Sequence, residues 1–421
     1  MKKQLKCSVL LLCLSGQILS GAGSVWAVSA PHIIDGGLQY IDASDHYVLD
    51  CAADTSVTSV HIPAEINGKP VLVNGAHFRS CPNLKEITVD DAQKTVSAKD
   101  GVLFSKNGSI LIEYPCAKAD AYSLPETVSA IADRAFENAA GLTEITLADS
   151  LRNVGNSAFV NCTALQEIHG AVPYTYGTVF NGCTNLRALT LAETGDASGS
   201  VNLTNFTLID CTALESVTIP DCRVLAADVT IRNCPKLKAI HFPELEDTDD
   251  EPYFTVAGCD ALMELELPAV KSRSEGAFYS VTNCPNLSTV IFREGKLAGA
   301  EIQDCPALTK AIYFTGEQNR NPSRFTGCDA LTVYGLSSDI QLRNDCEQQN
   351  IPFMALDQMP GDVNTDTETD VRDAVLLSRF LAEDADAVLS QIGKKNADMD
   401  GDGERTTNDV TVMLRKIAKL E

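Results

Sequence analysis

The sequence has 421 residues, with 57 acidic and 33 basic side chains and a formal net charge of −24 at pH 7. This length allows two or three domains with a sizeable core. So acidic a chain is a poor partner for nucleic acid or for an anionic membrane surface, because both require a basic patch.

The N-terminus has the pattern of a secretory signal peptide. A basic start at Lys2, Lys3 and Lys6 is followed by an apolar run over 9–14 and by small residues that end at Ala27. The apolar run is too short to span a bilayer. We therefore expect residues 1–27 to be a signal peptide, cleaved after Ala27, and the protein to be secreted. Cleavage would also remove the only tryptophan.

A repeat occupies most of the chain after residue 60. Nine cysteines recur in one frame, each followed three residues later by leucine and then by a short alternating strand. A tenth unit has Ala139 in place of cysteine, and from there the units recur every 21 to 28 residues. One leucine and one strand in about 20–29 residues indicate a leucine-rich solenoid. The frame cysteines are Cys81, Cys162, Cys183, Cys211, Cys234, Cys259, Cys284, Cys305 and Cys328.

The segments around the repeats have their own predictions. Residues 37–41 and 46–50 predict two short strands of an N-terminal cap, which a solenoid needs. Residues 99–115 predict an inserted hairpin that turns at Asn107-Gly108, and this accounts for the longer gap between Cys81 and Ala139. Residues 338–349 predict a final turn and short helix, and 350–353 a last strand. We therefore assign 28–355 to the solenoid.

The repeat frame Phe-x-x-Cys-x-x-Leu, as in Phe159, Cys162 and Leu165, resembles the BspA-type leucine-rich repeats of bacterial surface and secreted proteins. The segment 62–71 resembles the N-terminal segment of the same family. The resemblance implies a β-rich leucine-rich-repeat solenoid built of parallel β coils.

The frame cysteines are predicted to line the solenoid interior. Fifteen cysteines in a secreted chain would usually indicate disulfides. Equivalent positions of stacked coils lie about 4.8 Å apart, so these cysteines form a ladder of small apolar groups. A regular ladder offers no local cluster of metal ligands, and we expect these thiols to stay reduced. The state of the cysteines outside the frame is left open, namely Cys51, Cys116, Cys222 and Cys346.

The repeat strands also define an outward face. In each strand, the residues before and after the central inward residue point onto a surface that is usually concave. This face is acidic and threonine-rich in early units and turns apolar late, at Ile291 and Ile312. It could bind a protein or a glycan, or consist of solvated strand positions. The candidate surface residues are Glu144, Glu167, His169, Tyr174, Tyr176, His241, Glu264 and Glu266.

No catalytic constellation is visible in the sequence. His169 and His241 lie three coils apart, roughly 15 Å, which is too far to share a metal ion. Neither a Gly-x-Ser-x-Gly elbow nor a phosphate-binding glycine loop occurs. The outward glutamates are paired carboxylates that could in principle hydrolyse glycosides. The chain is therefore more readily explained as a binding protein, with glycoside hydrolysis as the alternative.

Two acidic 12-residue loops near the C-terminus repeat in one register, 36 residues apart. Loop one covers 362–373 and loop two covers 398–409, and both have side-chain oxygens at positions 1, 3, 5 and 12. This spacing suits a hard cation with six to eight oxygen ligands at about 2.3–2.6 Å. An amphipathic stretch follows each loop, at 374–381 and 410–418. Gly403 fills position 6 of loop two, but Thr367 fills it in loop one, which we therefore expect to be strained or differently shaped.

The segment 361–421 resembles a type I dockerin, the calcium-dependent module that binds the cohesins of bacterial cellulosomes. A linker at 356–360 would join this small all-α domain to the solenoid. The resemblance implies two calcium ions, one in each loop. The implied ligands are Asp362, Asn364, Asp366, Glu368, Asp370 and Asp373 in loop one, and Asp398, Asp400, Asp402, Glu404, Thr406 and Asp409 in loop two.

The same resemblance implies where a cohesin would bind. Dockerins contact it through loop positions 10 and 11 and a basic spot on the following helix. Because these positions differ between the two repeats, we expect one repeat to dominate binding. The implied contact residues are Val371, Arg372, Arg379, Thr407, Asn408, Arg415 and Lys416.

These resemblances imply a secreted, non-catalytic cellulosome component, displayed on the cell surface. The dockerin would anchor it to a scaffold cohesin, and the array would bind a protein or a glycan. The alternative is an enzyme, or an enzyme inhibitor, acting in plant polysaccharide degradation.

Overall fold

The computed structural model describes residues 32–75, 78–170, 172–173, 177, 179–191, 202–203, 206–219, 222–225, 228–242, 245–248, 253–268, 276–315 and 321–420. The predicted signal peptide lies outside the described residues, as do Tyr174 and Tyr176.

The N-terminal cap is a small sheet that closes one end of the solenoid. Its strands lie in the order β1-β2-β3-β6-β5, with β1, β2 and β3 antiparallel. Alternate residues of β2 and β3 point inward, so Leu38, Tyr40 and Leu49 are buried. The first six strands are β1 His32–Asp35, β2 Leu38–Asp42, β3 Tyr47–Ala52, β4 Ser59–Ile62, β5 Glu65–Ile66 and β6 Lys69–Leu72.

The strands that follow the frame leucines form most of the outward face, and β4, β11 and β32 pair at the ends of its runs. These strands pair in parallel from coil to coil, in the runs β4-β7, β11-β13-β15, β16-β19-β22 and β25-β27-β29-β31-β32. The further strands of this face are β7 Glu86–Val89, β11 Asp120–Ser123, β13 Leu142–Thr146, β15 Glu167–His169, β16 Ala188–Thr190, β19 Ser216–Thr218, β22 Ala239–His241, β25 Glu264–Leu267, β27 Thr289–Phe292, β29 Lys310–Tyr313, β31 Thr332–Gly335 and β32 Phe353–Ala355.

A meander interrupts the array where the hairpin was predicted. The insertion has three antiparallel strands and begins before residue 99. These strands are β8 Val96–Lys99, β9 Val102–Ser105 and β10 Ile110–Glu113. Its last strand pairs in parallel with β12 Ala130–Ile131, which pairs with β14 Asn153–Val154. The sheet that begins with the meander therefore continues into the next coils of the solenoid.

A second parallel sheet forms another side of the later coils. Its long run, β18-β21-β24-β26-β28-β30, is formed by the residues just before the cysteines from Cys211 onward. One strand per repeat was predicted, but the later coils have more than one. The strands of the second sheet are β18 Phe206–Ile209, β21 Val229–Arg232, β24 Tyr253–Ala257, β26 Ala277–Thr282, β28 Leu297–Gln303 and β30 Arg324–Thr326. A separate three-stranded parallel sheet consists of β17 Asn202–Leu203, β20 Cys222–Leu225 and β23 Leu245–Thr248.

The residue before most frame positions has a left-handed backbone. Asn161, Asp210 and Asn233 have φ angles of 59°, 61° and 55°, and glycine takes the same place at Gly182 with φ 75°. Asparagine, aspartate and glycine are the residues that tolerate this conformation. The amide of Asn161 donates to Asn138 Oδ1 of the preceding coil at 3.1 Å. The chain can therefore turn at this point in every coil.

Aromatic rings and thiols stack through the core. The rings of Phe136, Phe159 and Phe180 follow one another at centroid distances of 4.8 and 5.3 Å. Every frame cysteine is buried and is a thiol outside any disulfide. The thiol of Cys162 donates to the carbonyl of Phe136 in the preceding coil at 3.1 Å. The thiols therefore occupy interior positions and contribute hydrogen bonds between coils.

Four α-helices follow the last coils. Helix α1, Ile340–Gln349, begins after the capping residue Asp339 and closes the solenoid. Leu356–Gln358 form a 3₁₀ turn in the predicted linker. In the C-terminal module, α2 Val371–Leu381 packs against α4 Thr407–Ile417, with α3 Gln391–Asn396 between them in the chain. The buried side chains of Leu377 and Met413 form part of its core.

Candidate functional site

Three carboxylates converge in loop two. One oxygen each of Asp398, Asp400 and Asp409 lies within 4.8 Å of the others. Gly401 and Gly403 have φ angles of 77° and 88°, and their N–H groups donate to the Asp398 carboxylate at 2.8 and 3.0 Å. The loop therefore curls around its first residue and directs the oxygens inward. An all-oxygen set of this kind fits Ca²⁺, which supplies the charge that compensates carboxylates held so close together.

Asp409 connects loop two to helix α4. Its side chain is buried and accepts hydrogen bonds from the N–H groups of Met399 at 2.7 Å and Thr406 at 2.8 Å. Thr406 caps α4, and the two residues form a reciprocal capping box. Burial raises the pKa of Asp409, but these hydrogen bonds outweigh it and hold that pKa below its usual value. The ionised form of the carboxylate is thus favoured at a predicted ligand position.

Loop two places its other predicted ligands around the same bend. The N–H of Glu404 donates to Asp402 Oδ1 at 2.8 Å, so the Asp402 side chain points along the loop toward the following residues. The amide of Asn408 donates to Asp400 Oδ2 at 2.6 Å. The close cluster thus contains three of the predicted ligands, Asp398, Asp400 and Asp409, without Asp402.

Loop one also curls around its first residue, and the carboxylates at its first and last positions are both buried. Asp362 and Asp373 are both fully buried. Asp373 Oδ1 accepts from the N–H groups of Val363 and Asn364 at 2.8 and 3.0 Å, and Asp362 accepts from Thr367 N–H at 3.1 Å. Burial, together with the neighbouring Asp373, raises the pKa of Asp362 to about 7. A bound cation would stabilise the ionised form of this pair.

Loop one also departs from loop two, as expected from Thr367. That residue has a φ of 75°, an unfavourable conformation for a β-branched side chain, and its buried hydroxyl has no hydrogen-bond partner in the structure. The guanidinium of Arg372 lies 3.1 Å from Asp366 and 2.8 Å from Asp370. Within the described residues, the close three-carboxylate cluster occurs in loop two, whereas loop one has Asn364 at position 3.

The predicted cohesin contacts at loop positions 10 and 11 lie at the start of the two module helices, whereas the predicted basic contacts lie in their last turns. Val371 is 56% exposed on α2, and Thr407 and Asn408 are exposed on α4. Both helices begin with a capping box, at Asp370 and at Thr406, so their first turns have well-defined positions.

The basic residues of the two helices have different partners. Arg379 Nε donates to Asp384 at 2.7 Å. Its counterpart Arg415 forms no ion pair within residues 32–420 as far as they are described. Lys416 Nζ donates to the carbonyl of Pro360 at 2.7 Å, so this predicted cohesin contact binds the linker instead.

The early outward face carries acidic groups around one histidine. Glu144 lies opposite Glu167 in register, and His169 Nε2 is 3.7 Å from Glu144 and 3.9 Å from Glu167. All three side chains are about half exposed. His241 lies farther along, opposite Thr218. A glycosidase acid is normally held in an apolar pocket, and these carboxylates are instead solvated.

The late outward face contacts the C-terminal module. Lys310 Nζ lies 3.1 Å from the Glu368 carboxylate of loop one, and Ile312 is only 4% exposed although it points outward. In the linker, Leu356 is buried, and Asp357 accepts from Ser337 Oγ at 2.7 Å and from Lys395 Nζ at 3.0 Å. The module therefore packs on the end of the array.

Comparison with protein families agrees with this architecture. Six copies of the BspA type leucine rich repeat region match residues 113–223 and 202–332, which together span more than half of the chain. The chain belongs to the BspA-type leucine-rich repeat family. A dockerin type I domain matches residues 360–418, the segment that contains both acidic loops. Both family predictions from the sequence are therefore confirmed.

Several solved structures are similar to this BspA-type protein at low identity. A leucine-rich repeat protein from Eubacterium ventriosum is 23% identical with a TM-score of 0.41, over 51% of this chain and 55% of its own. The pneumococcal vaccine antigen PcpA is 16% identical with a TM-score of 0.30, over 71% and 56%. A leucine rich cell surface protein from Faecalibacterium prausnitzii is 15% identical with a TM-score of 0.32, over 73% and 95%. The match spans little more than half the length of the first two, and no curated protein matches the chain.

The two matched families define a general class. A dockerin beside a BspA-type array supports a cellulosome-type, cohesin-binding protein, and type I dockerins generally bind calcium. The combination also suggests an extracellular, cell-surface protein. Among the described residues, no helix is both long enough and apolar enough to cross a bilayer.

The residues through which the array contacts the dockerin were not predicted from the sequence. The sequence pattern that could have indicated this contact is the pair Ile291 and Ile312, which are apolar residues at outward strand positions. Neighbouring outward isoleucines on a sheet face indicate that something covers it.

Proposed function

We propose that this BspA-type protein is a secreted, non-catalytic cellulosome component that binds calcium through both dockerin loops and thereby docks onto a scaffold cohesin. The convergence of Asp398, Asp400 and Asp409 within 4.8 Å carries the proposal. Without a cation these carboxylates repel one another, so calcium favours the folded module. The proposal includes two ions, a signal peptide at 1–27, a solenoid at 28–355, a linker at 356–360 and a dockerin at 361–421.

The second repeat is the main cohesin contact in this proposal. Arg415 is free of ion pairs in the described part of the chain, whereas Arg379 is held by Asp384. On the loop side, Arg372 is occupied by Asp366 and Asp370. A cohesin carboxylate can therefore bind the second repeat without breaking an existing ion pair.

The test measures cohesin binding by the mature chain with calcium and with excess chelator, against a panel of immobilised scaffold cohesins. Calcium-dependent retention is expected on at least one cohesin. The variants Arg379→Glu and Arg415→Glu are then compared, with Arg187→Glu on the array as the control. Arg415→Glu should weaken binding more than Arg379→Glu, and equal losses would contradict the preferred orientation. Retention that persists in chelator would contradict the role of calcium.

The array is proposed to bind a protein or a glycan. Its half-exposed glutamates favour binding over hydrolysis. Incubation of the mature chain with cellulose, xylan and pectin separates the two outcomes. Release of reducing sugar would establish the enzyme alternative, whereas retention without release would indicate glycan binding.

A further inference from the structure

A cleft of about 530 Å³ lies where the array meets the dockerin. Its floor is the outward face of β25, β27 and β29, and residues 364–372 of the first dockerin repeat form one wall. Ligand sites are commonly found at such domain junctions, with volumes of roughly 300–1,000 Å³.

Two different rows of side chains cross the floor of the cleft. Glu264, Thr289 and Lys310 are register partners on the three strands and form a polar row. Beside it, Ile291 and Ile312 are register partners on β27 and β29 and form an apolar pair, next to Glu266 of β25. The half-buried Phe314, two residues after Ile312, also lines the cleft. A ligand lying across the strands would meet hydrogen-bonding groups along one edge and an apolar surface along the other.

Most charges in the cleft already have partners. Lys310 pairs with Glu368 at 3.1 Å, Arg372 with Asp366 at 3.1 Å, and Arg293 with Glu266 at 2.5 Å. A strongly charged ligand would have to separate these pairs. Glu264 forms no ion pair in the described parts of the chain, and its exposed carboxylate is available as a hydrogen-bond acceptor.

We propose that this cleft binds a neutral glycan chain, with Glu264 and Thr289 bonded to its hydroxyl groups and Ile291 and Phe314 against the apolar face of a sugar ring. This inference rests on the proposed binding role of the array and specifies its site and ligand class. A pyranose has the required shape, because hydroxyl groups surround its edge and C–H groups cover its faces. Hydroxyl donors to a carboxylate form hydrogen bonds stronger than those between neutral groups.

The floor is less suited to a peptide. An extended peptide binds by adding a strand to a free sheet edge, but the floor is a sheet face whose backbone groups pair between β25, β27 and β29. A helix requires a continuous apolar groove, and here the polar row of Glu264, Thr289 and Lys310 runs beside the isoleucines. The glycan is therefore the ligand that the arrangement favours.

The test is calorimetric titration of the mature chain, in calcium, with hexasaccharides of β-1,4-linked glucose, xylose and mannose. A hexapeptide of alternating lysine and leucine is titrated in parallel. The variants Glu264→Gln and Thr289→Val preserve side-chain shape, and Glu86→Gln is the matched control at an exposed position of β7, an early strand of the same face. At least one hexasaccharide should bind, and Glu264→Gln should weaken it about tenfold through one lost charge-assisted hydrogen bond, with Glu86→Gln unchanged.

Three results would overturn the proposal: no binding of any hexasaccharide, equal weakening by Glu86→Gln and Glu264→Gln, or binding of the peptide alone. Cohesin binding by the same variants is measured with calcium and with chelator. It should be unaffected by Glu264→Gln, so loss of the glycan site is distinguished from failure of the dockerin.

Discussion

Replacing Asp409 with alanine removes the side chain that links loop two to helix α4. The carboxylate accepts the N–H groups of Met399 and Thr406 at 2.7 and 2.8 Å in a buried position. Each hydrogen bond to a charged group contributes about 1.5–3 kcal/mol, so the variant should lose roughly 3–6 kcal/mol of unfolding free energy. This is a large part of the roughly 5–15 kcal/mol that stabilises a domain. The substitution also removes a proposed calcium ligand.

Ellipticity at 222 nm can follow this loss, because the long helices α2 and α4 lie in the dockerin. The Asp409→Ala variant should melt at a lower temperature in calcium and bind one calcium ion fewer than the parent chain in calorimetric titration. Asp386→Ala, at an exposed position outside both loops, is the control and should melt like the parent. Unchanged calcium stoichiometry together with an unchanged melting temperature would refute the role given to Asp409.

Two further predictions concern the solenoid. Thiol titration of denatured, unreduced protein should detect at least the nine frame cysteines, because each is buried and unpaired; a smaller number would show that disulfides form. Asn161→Ala should lower the unfolding free energy in urea by about 1–2 kcal/mol, the cost of a left-handed residue, because its φ is 59°. Asn161→Gly should be better tolerated than Asn161→Ala, and equal effects would mean that the hydrogen bond to Asn138 dominates instead.

Some features of the early coils were readable from residue spacing. The cysteine–leucine frame predicted the buried positions because equivalent residues of stacked coils meet in space. The second sheet was not predicted. Its strands before the late cysteines, such as β24 and β26, have no counterpart strand in the first coils, so the repeat pattern did not indicate them. The repeated left-handed turn could have been predicted from the asparagine or aspartate that precedes several frame cysteines, at Asn161, Asp210 and Asn233.

The sequence by itself determined the repeat family, the dockerin and the positions of the acidic loops. These features depend on residues within a dozen or a few dozen positions of one another, so spacing suffices to find them. The contact between Lys310 and Glu368 was decided by the tertiary structure, because it joins residues 58 positions apart through packing that no local pattern encodes. The same packing buries Ile312 and encloses the cleft. Folding thus joins the end of the array to the dockerin as one surface.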